Sequence, residues 1–107
     1  MSFTVHIIAD AEADITDIYY FVALNNSEQG AIELLHKLEK TIEKLETLPW
    51  RGHIPPELER IAVTDYREIH CKPYGIIYEV IDHNVFVHCV FDGRRDFQEL
   101  LYKRLFR

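Results

Sequence analysis

Glycine and proline are scarce in this chain, with four of each in 107 residues. The glycines stand singly, which excludes a glycine-rich loop of the kind that cradles phosphates, and the low total excludes a linker-rich or low-complexity chain. There are only two cysteines, Cys71 and Cys89, and neither belongs to a C-x-x-C pair. A disulfide framework and a cysteine zinc knuckle are thereby set aside, and both thiols read as buried strand residues. No apolar run approaches the ~20 residues that span a bilayer, so no membrane partner is expected. The first residues, MSFTVHIIADAEAD, lack a basic leader and turn acidic within ten positions, so a cytoplasmic location is expected. Positive charge is also short: 12 Lys and Arg against 18 Asp and Glu give a net charge of −6. A general nucleic-acid binder needs the opposite balance.

What the chain does have is apolar pattern, in nearly half its residues. One modest core fits this length, so residues 1–107 are read as a single domain. The organising stretch is 66–96, YREIHCKPYGIIYEVIDHNVFVHCVFDGRRD. Val, Ile, Phe and Tyr crowd 76–81 and 85–91, and short breaks at Lys72-Pro73 and Asp82-His83-Asn84 predict three antiparallel strands. Asp92-Gly93 is a turn signal that presents Arg94 and Arg95.

Upstream, FTVHIIA (3–9) alternates as a first strand, with Phe3, Val5 and Ile7 on one side. Asp10 is placed to cap a helix, and Ala11, Ile15, Ile18, Tyr19 and Val22 fall at helical spacing. Asn25-Asn26-Ser27 ends that helix, and Ser27 can cap the next, whose Ala31, Leu35, Leu38, Ile42 and Leu45 continue to about Leu48. Three residues between two helices enforce an antiparallel hairpin. Residues 49–65 read as an irregular loop, with Trp50 covering the core's edge and 61–63 adding a short edge strand. Asp96 and Glu99 form a capping box for a short terminal helix bearing Phe97, Leu100, Leu101 and Leu105. The result is an α+β fold in two layers: N-terminal strand, antiparallel helical hairpin, antiparallel β-meander and short C-terminal helix.

Six histidines raise the question of a metal. No H-x-x-x-H or C-x-x-C spacing is present, so no metal site and no cofactor are expected. The residues with chemical promise are Arg67, Lys72, Arg94 and Arg95, with Tyr66, Tyr74, Tyr78 and Tyr102 near them in sequence. They allow two readings: guanidinium groups clamping a phosphate or carboxylate beside stacking tyrosines, or ordinary surface ion pairs and packed rings. Charge is polarised along the chain. Residues 1–50 carry three lysines against nine carboxylates, whereas from Arg94 onward five basic residues face two acidic ones.

The succession YREI…PYGIIYEV…VFVHCVFDGRRD, preceded by LPWRGHIPPEL and by the Asp-Ile-x-x-Ile-Tyr-Tyr-Phe helix, resembles the RelE/ParE superfamily of toxins from bacterial toxin–antitoxin modules. The likeness runs from about Phe3 to Leu105. It implies a type II module, of plasmid-stabilisation type, in which a cognate antitoxin binds and neutralises the toxin as a hetero-oligomer. The details resemble ParE, whose members inhibit DNA gyrase without cutting anything. They imply target contacts at Arg67, Lys72, Tyr74, Arg94 and Arg95. An antitoxin segment, disordered until bound, is implied at Ile15, Tyr19, Leu35, Leu38, Arg94, Lys103 and Arg104, with apolar side chains on the hairpin, carboxylates at the basic C-terminal edge, and Lys or Arg where it crosses Glu33, Glu39, Glu43 and Glu46. The alternative is a RelE-type endoribonuclease acting on mRNA at the ribosome, for which Arg67, Arg95 and Tyr102 are the catalytic candidates. Such nucleases usually carry an arginine directly after the tyrosine of the PYR segment, as do many ParE-like members, and here that position is Gly75, which bears on toxicity in either reading. A third reading is a degenerate copy that binds antitoxin without toxicity.

Overall fold

Runs of β-branched and aromatic residues in the second half of the chain and helical periodicity in the first build a four-stranded sheet with helices on both faces. The structure is a computed structural model and describes residues 2–94 and 97–106, with the backbone alone at Phe97. Strand β1 (Thr4–Ile7) is followed by helices α1 (Ala9–Asn25) and α2 (Glu28–Glu43), a 3-10 turn (Lys44–Glu46) and a short helix α3 (Pro56–Glu59). Strands β2 (Tyr66–Cys71), β3 (Tyr74–Ile81) and β4 (Asn84–Asp92) come next, then helix α4 (Phe97–Leu105). The sheet order is β1-β4-β3-β2. The three late strands pair antiparallel as a meander, and β1 lies parallel to β4, with Thr4 opposite Asn84.

Both meander turns are tight. Lys72-Pro73 is a cis peptide joining Cys71 to Tyr74, and Asp82 takes a positive φ of 55°, which aspartate tolerates, between Ile81 and Asn84. The pairing register of β3 and β4 shifts between Ile77 and Tyr78, leaving His88 as the extra residue of a bulge. Side-chain alternation then divides the sheet. Tyr74, Ile76, Tyr78, Val85, Val87 and Val90 face the hairpin, where Ala11, Leu38, Ile42 and Leu45 complete the main core. On the reverse face Ile77, Cys89 and Phe91 meet Leu58 and Leu101 in a smaller second core. Each layer therefore closes one side of β3 and β4. Among the described residues no helix is long and apolar enough to cross a membrane.

Several local expectations are corrected. Helix α1 starts at Ala9, one residue before the expected Asp10 cap, because Ile8 both ends the strand and opens the helix. Its N–H donates to Val87 O (3.1 Å) while its carbonyl accepts from Glu12 N (3.0 Å). Asp10 and Glu12 lie in the first turn, where carboxylates favour the helix dipole. Ile8 also takes the inward place expected of Ile7, which is 38% exposed. Ser27 does cap α2, its Oγ accepting from Gly30 N at 2.9 Å. That helix tightens into the 3-10 turn after Glu43 and stops short of Leu48. No edge strand forms at 61–63. Instead α3 ends in a Schellman-type cap, with Ala62 at φ 61° and Val63 N donating back to Leu58 O at 2.9 Å. Asp96 of the expected capping box and Arg95 lie outside the described residues.

Among the described residues no strand lies beside the outer edge of β4 beyond Val87, because β1 pairs only with residues 84–87. Side chains take the place of that strand. Val90 N–H donates to Asp14 Oδ2 (3.0 Å), and Arg104 Nη2 donates to the His88 carbonyl (2.8 Å). Asp14 and Arg104 then bind each other, Nη1 to Oδ1, at 2.9 Å. Their side chains are only 20% and 14% exposed. Burial alone would push the Arg104 pKa down, and the hydrogen bond to Asp14 with the charges around it carries it above the ordinary arginine value.

Two stability outcomes follow from this packing. Leu38, fully buried beneath the sheet, should cost about 2–5 kcal/mol on truncation to alanine, measured by urea denaturation. Asp14→Ala should cost about 2–4 kcal/mol, since it takes the acceptor from one nitrogen of a largely buried guanidinium and from a strand N–H. Amide hydrogen exchange at Val90 should accelerate in the same variant.

Candidate functional site

The turn between β2 and β3 and the turn after β4 lie side by side, because Tyr74 pairs with Asp92 and Gly93 N–H donates to Pro73 O at 2.9 Å. Lys72 and Arg94 are exposed at this end of the sheet. Arg94 is not a free cation: its Nε and Nη2 donate to the two Asp92 carboxylate oxygens at 2.9 and 2.6 Å. Those bonds and the Asp92 charge hold its pKa above the ordinary arginine value. Tyr74 belongs to the main core, 6% exposed, and burial pushes its hydroxyl pKa up. It offers no stacking surface to a partner.

Beside these turns, on the reverse face of the sheet, an open depression of about 310 Å³ is lined by His53, Glu68, His70, Gly75, Phe91 and others. Its chemistry is acidic at the floor. Glu68 alternates onto this face between Arg67 and Ile69, with its side chain 9% exposed. Burial pushes its carboxyl pKa up, while His70 and His53 act to lower it and Glu57 raises it further. His53 is held opposite Glu68 by two backbone hydrogen bonds (3.1 and 2.7 Å). The position of Gly75 explains itself here. A Cβ there would run into the Phe91 ring and come 2.9 Å from Glu68 Oε2. The arginine that the family resemblance implies after the tyrosine has no room while Phe91 and Glu68 stand where they do.

Arg67 is turned away from this depression. Strand alternation puts it on the hairpin face, where Nη1 donates to Gly52 O (2.7 Å) and Trp50 O (3.3 Å). The guanidinium lies 5.1 Å from the Trp50 ring centroid. Trp50 is 58% exposed, so the expectation that it covers the core's edge is replaced by a surface cation–π contact. Gly52 is held by this contact and by Tyr78, whose hydroxyl accepts from Gly52 N at 2.9 Å. A Cβ at Gly52 would lie 2.6 Å from that hydroxyl, so the segment approaches as closely as it does because the residue is glycine.

The remaining sites separate further. Tyr102 is 55% exposed on α4, against Phe106 and beside Leu58 and Ile61, in a groove distinct from the depression. Arg67 and Tyr102 are thus not brought together, and Arg95 lies outside the described residues. Of the expected antitoxin contacts, Leu38 is fully buried and Arg104 is committed to Asp14; both belong to the structure's interior bonding. Ile15 packs on the main core, while Tyr19 and Leu35 are half-buried. Lys103 is exposed and pairs with Glu99 one helical turn away. Sequence reasoning missed Tyr20, Phe21 and Leu24, which are 59%, 62% and 84% exposed on α1. The signal was the unbroken apolar run 18–24, wider than one buried stripe. Cys89 is no nucleophile: burial, first, and then the Asp14 charge push its thiol up to about 12.

Gly75→Ala should destabilise the fold by about 1–3 kcal/mol through overpacking against Phe91. Phe91→Leu in the same chain should recover part of that loss, and a double-mutant cycle of denaturation curves reads the coupling. Additive losses would mean that Phe91 does not hold the space over Gly75.

Comparison with known proteins adds to this geometry. A family model described as the ParE toxin of type II toxin–antitoxin system, parDE, matches residues 5–97. No curated protein sequence matches the chain. Among solved structures, a chain of the chromosomal ParDE toxin–antitoxin system from P. aeruginosa superposes with a TM-score of 0.70 at 14% identity. The match covers 85% of this chain and 96% of that one. A chain of the toxin–antitoxin complex RelBE2 from Mycobacterium tuberculosis gives a TM-score of 0.64 at 16% identity, covering 86% and 99%. At such identities these two likenesses concern the fold.

Proposed function

The chain belongs to the ParE toxin family of type II toxin–antitoxin systems, and from that premise we propose that it acts by inhibiting DNA gyrase and is neutralised by a cognate antitoxin. The observation that carries the choice of target is the ParE family match across residues 5–97. The chemistry of the depression supports it. Ribonuclease action on mRNA asks for cations around a phosphate, since stabilising the developing charge is the largest contribution to such a rate. Here the floor is the Glu68 carboxyl with Glu57 nearby, and no arginine fits at position 75. Arg67 and Arg104 are each bound to internal acceptors, and Tyr102 stands in a separate groove.

For the antitoxin, a docking face made of Tyr20, Phe21 and Leu24 with half-buried Tyr19 and Leu35 offers apolar contact along the hairpin. Among the described residues, Lys103 and Arg94 are cations that an acidic segment can reach, because their own side chains are 72% and 70% exposed. Lys72 completes the basic end of the sheet.

The deciding experiment runs toxin, released from its antitoxin, through a gyrase supercoiling assay and a translation-coupled mRNA cleavage assay in parallel. Inhibition of supercoiling without cleavage is expected. Ribosome-dependent cleavage with supercoiling untouched would overturn the proposal in favour of a RelE-type nuclease. Inactivity in both assays, with antitoxin binding intact, would overturn it in favour of a binding-only copy.

A further inference from the structure

Three side chains that look unrelated in the sequence meet at one point of the depression. Glu68 and His70 stand two apart on β2 and so share a face, and the backbone bridge from His53 to Glu68 places a second imidazole on the same face. One ligand-type atom from each of the three lies within 4.8 Å of the other two. His53 Nε2 is 3.4 Å from Glu68 Oε1, and His70 Nε2 is 3.9 Å from Glu68 Oε2. Bonds of about 2.0–2.1 Å to a tetrahedral ion put neighbouring ligand atoms roughly 3.4 Å apart, and the two imidazole–carboxylate distances, 3.4 and 3.9 Å to different Glu68 oxygens, lie near that value.

The positions are also held. Glu68 is nine-tenths buried, and the two imidazole rings lie roughly parallel with centroids 5.5 Å apart. Both histidines are half-exposed, so an ion has an entry path. Glu57 lines the same depression and places a second carboxylate residue beside the three. His70 pairs with Gly75 across the sheet, and both line the depression beside Glu68.

We propose that His53, Glu68 and His70 form a binding site for a divalent transition metal of the zinc class, with one coordination position open to the depression. Two imidazoles and one carboxylate favour such borderline ions over Mg2+ and Ca2+, which take oxygen ligands. Three protein ligands and a free position are the arrangement of a zinc ion that carries an exchangeable water or a small donor group. The expectation of no metal site rested on helical and cysteine spacings. A strand brings ligands together at i and i+2, and a cross-strand neighbour supplies the third without any spacing to detect.

The test is metal binding by untagged, chelator-treated protein, and it is independent of any assay on gyrase. Calorimetric titration with Zn2+ should give one equivalent, and Co2+ should produce the visible absorption of a four-coordinate site. Mg2+ should give no heat. His53→Ala and His70→Ala should each weaken Zn2+ binding roughly tenfold or more, and Glu68→Gln should do so with its side-chain shape preserved. Zn2+ should raise the Tm of the wild type and leave that of His53→Ala/His70→Ala unchanged. His36→Ala/His83→Ala serves as the control and should bind as the wild type does. Failure to bind Zn2+ would overturn the proposal. So would binding that survives in the His53→Ala/His70→Ala variant.

Discussion

The ion pair between Asp14 and Arg104 is the constraint on which the arrangement of layers depends. Strand β1 covers β4 only as far as Val87, and an uncovered strand edge is both a cost in unpaired backbone groups and a template for aggregation. A carboxylate from α1 accepts the Val90 N–H and a guanidinium from α4 donates to the His88 carbonyl. The pair imitates, with side chains, two rungs of the ladder that a longer β1 would have made. Because the two charges also bond to each other, neither is buried alone, which is the condition under which such burial is tolerable. The consequence reaches both faces. The same contact that closes the β4 edge fixes α4 where Leu101 can cover Ile77, Cys89 and Phe91.

The elements themselves were legible in the chain. The crowding of β-branched and aromatic residues at 76–81 and 85–91, the hairpin stripe ending at Leu45, and Ser27 as a cap all follow from local chemistry. What local chemistry lacks is a statement about which strand comes next to which. The parallel pairing of Thr4 with Asn84, and a bond between residues 14 and 104, depend on contacts formed across 80 to 90 residues. The bulge at His88 has the same character, since one extra residue changes the face of everything beyond it. For this reason Arg104 read as a rim charge and Arg67 as a target contact. Their partners, Asp14 on one side and the Trp50–Gly52 backbone on the other, are remote in sequence or belong to the main chain.

The candidate site shows a second limit of sequence reading. The tyrosine-to-arginine pattern drew attention to what Gly75 lacks, a cation. The structure shows what occupies that space: the Phe91 ring over the glycine, and the Glu68 carboxyl beneath it. These three positions form one packing unit, so the loss of the arginine is not an isolated change that a single substitution would reverse. An arginine inserted there would have to displace an aromatic ring from the second core before its charge met the carboxylate.

Burial then decides which of the basic residues can serve a partner. An exposed ion pair is worth little in water, because solvent and salt already satisfy both ends. The Arg94–Asp92 pair is of this kind only on its basic side, at 70% against 24% exposed, whereas the Lys103–Glu99 pair is so on both, at 72% and 64%. A carboxylate arriving on an antitoxin can replace the internal partner there at small cost. Arg104 is different, at 14% exposure with the strand carbonyl also in its grip. Drawing it outward would strip Asp14, reopen the β4 edge and loosen α4 together. The polarised sequence therefore overstates the positive surface near the C-terminus. Part of that charge is spent inside the fold, holding the sheet edge that the first strand leaves open.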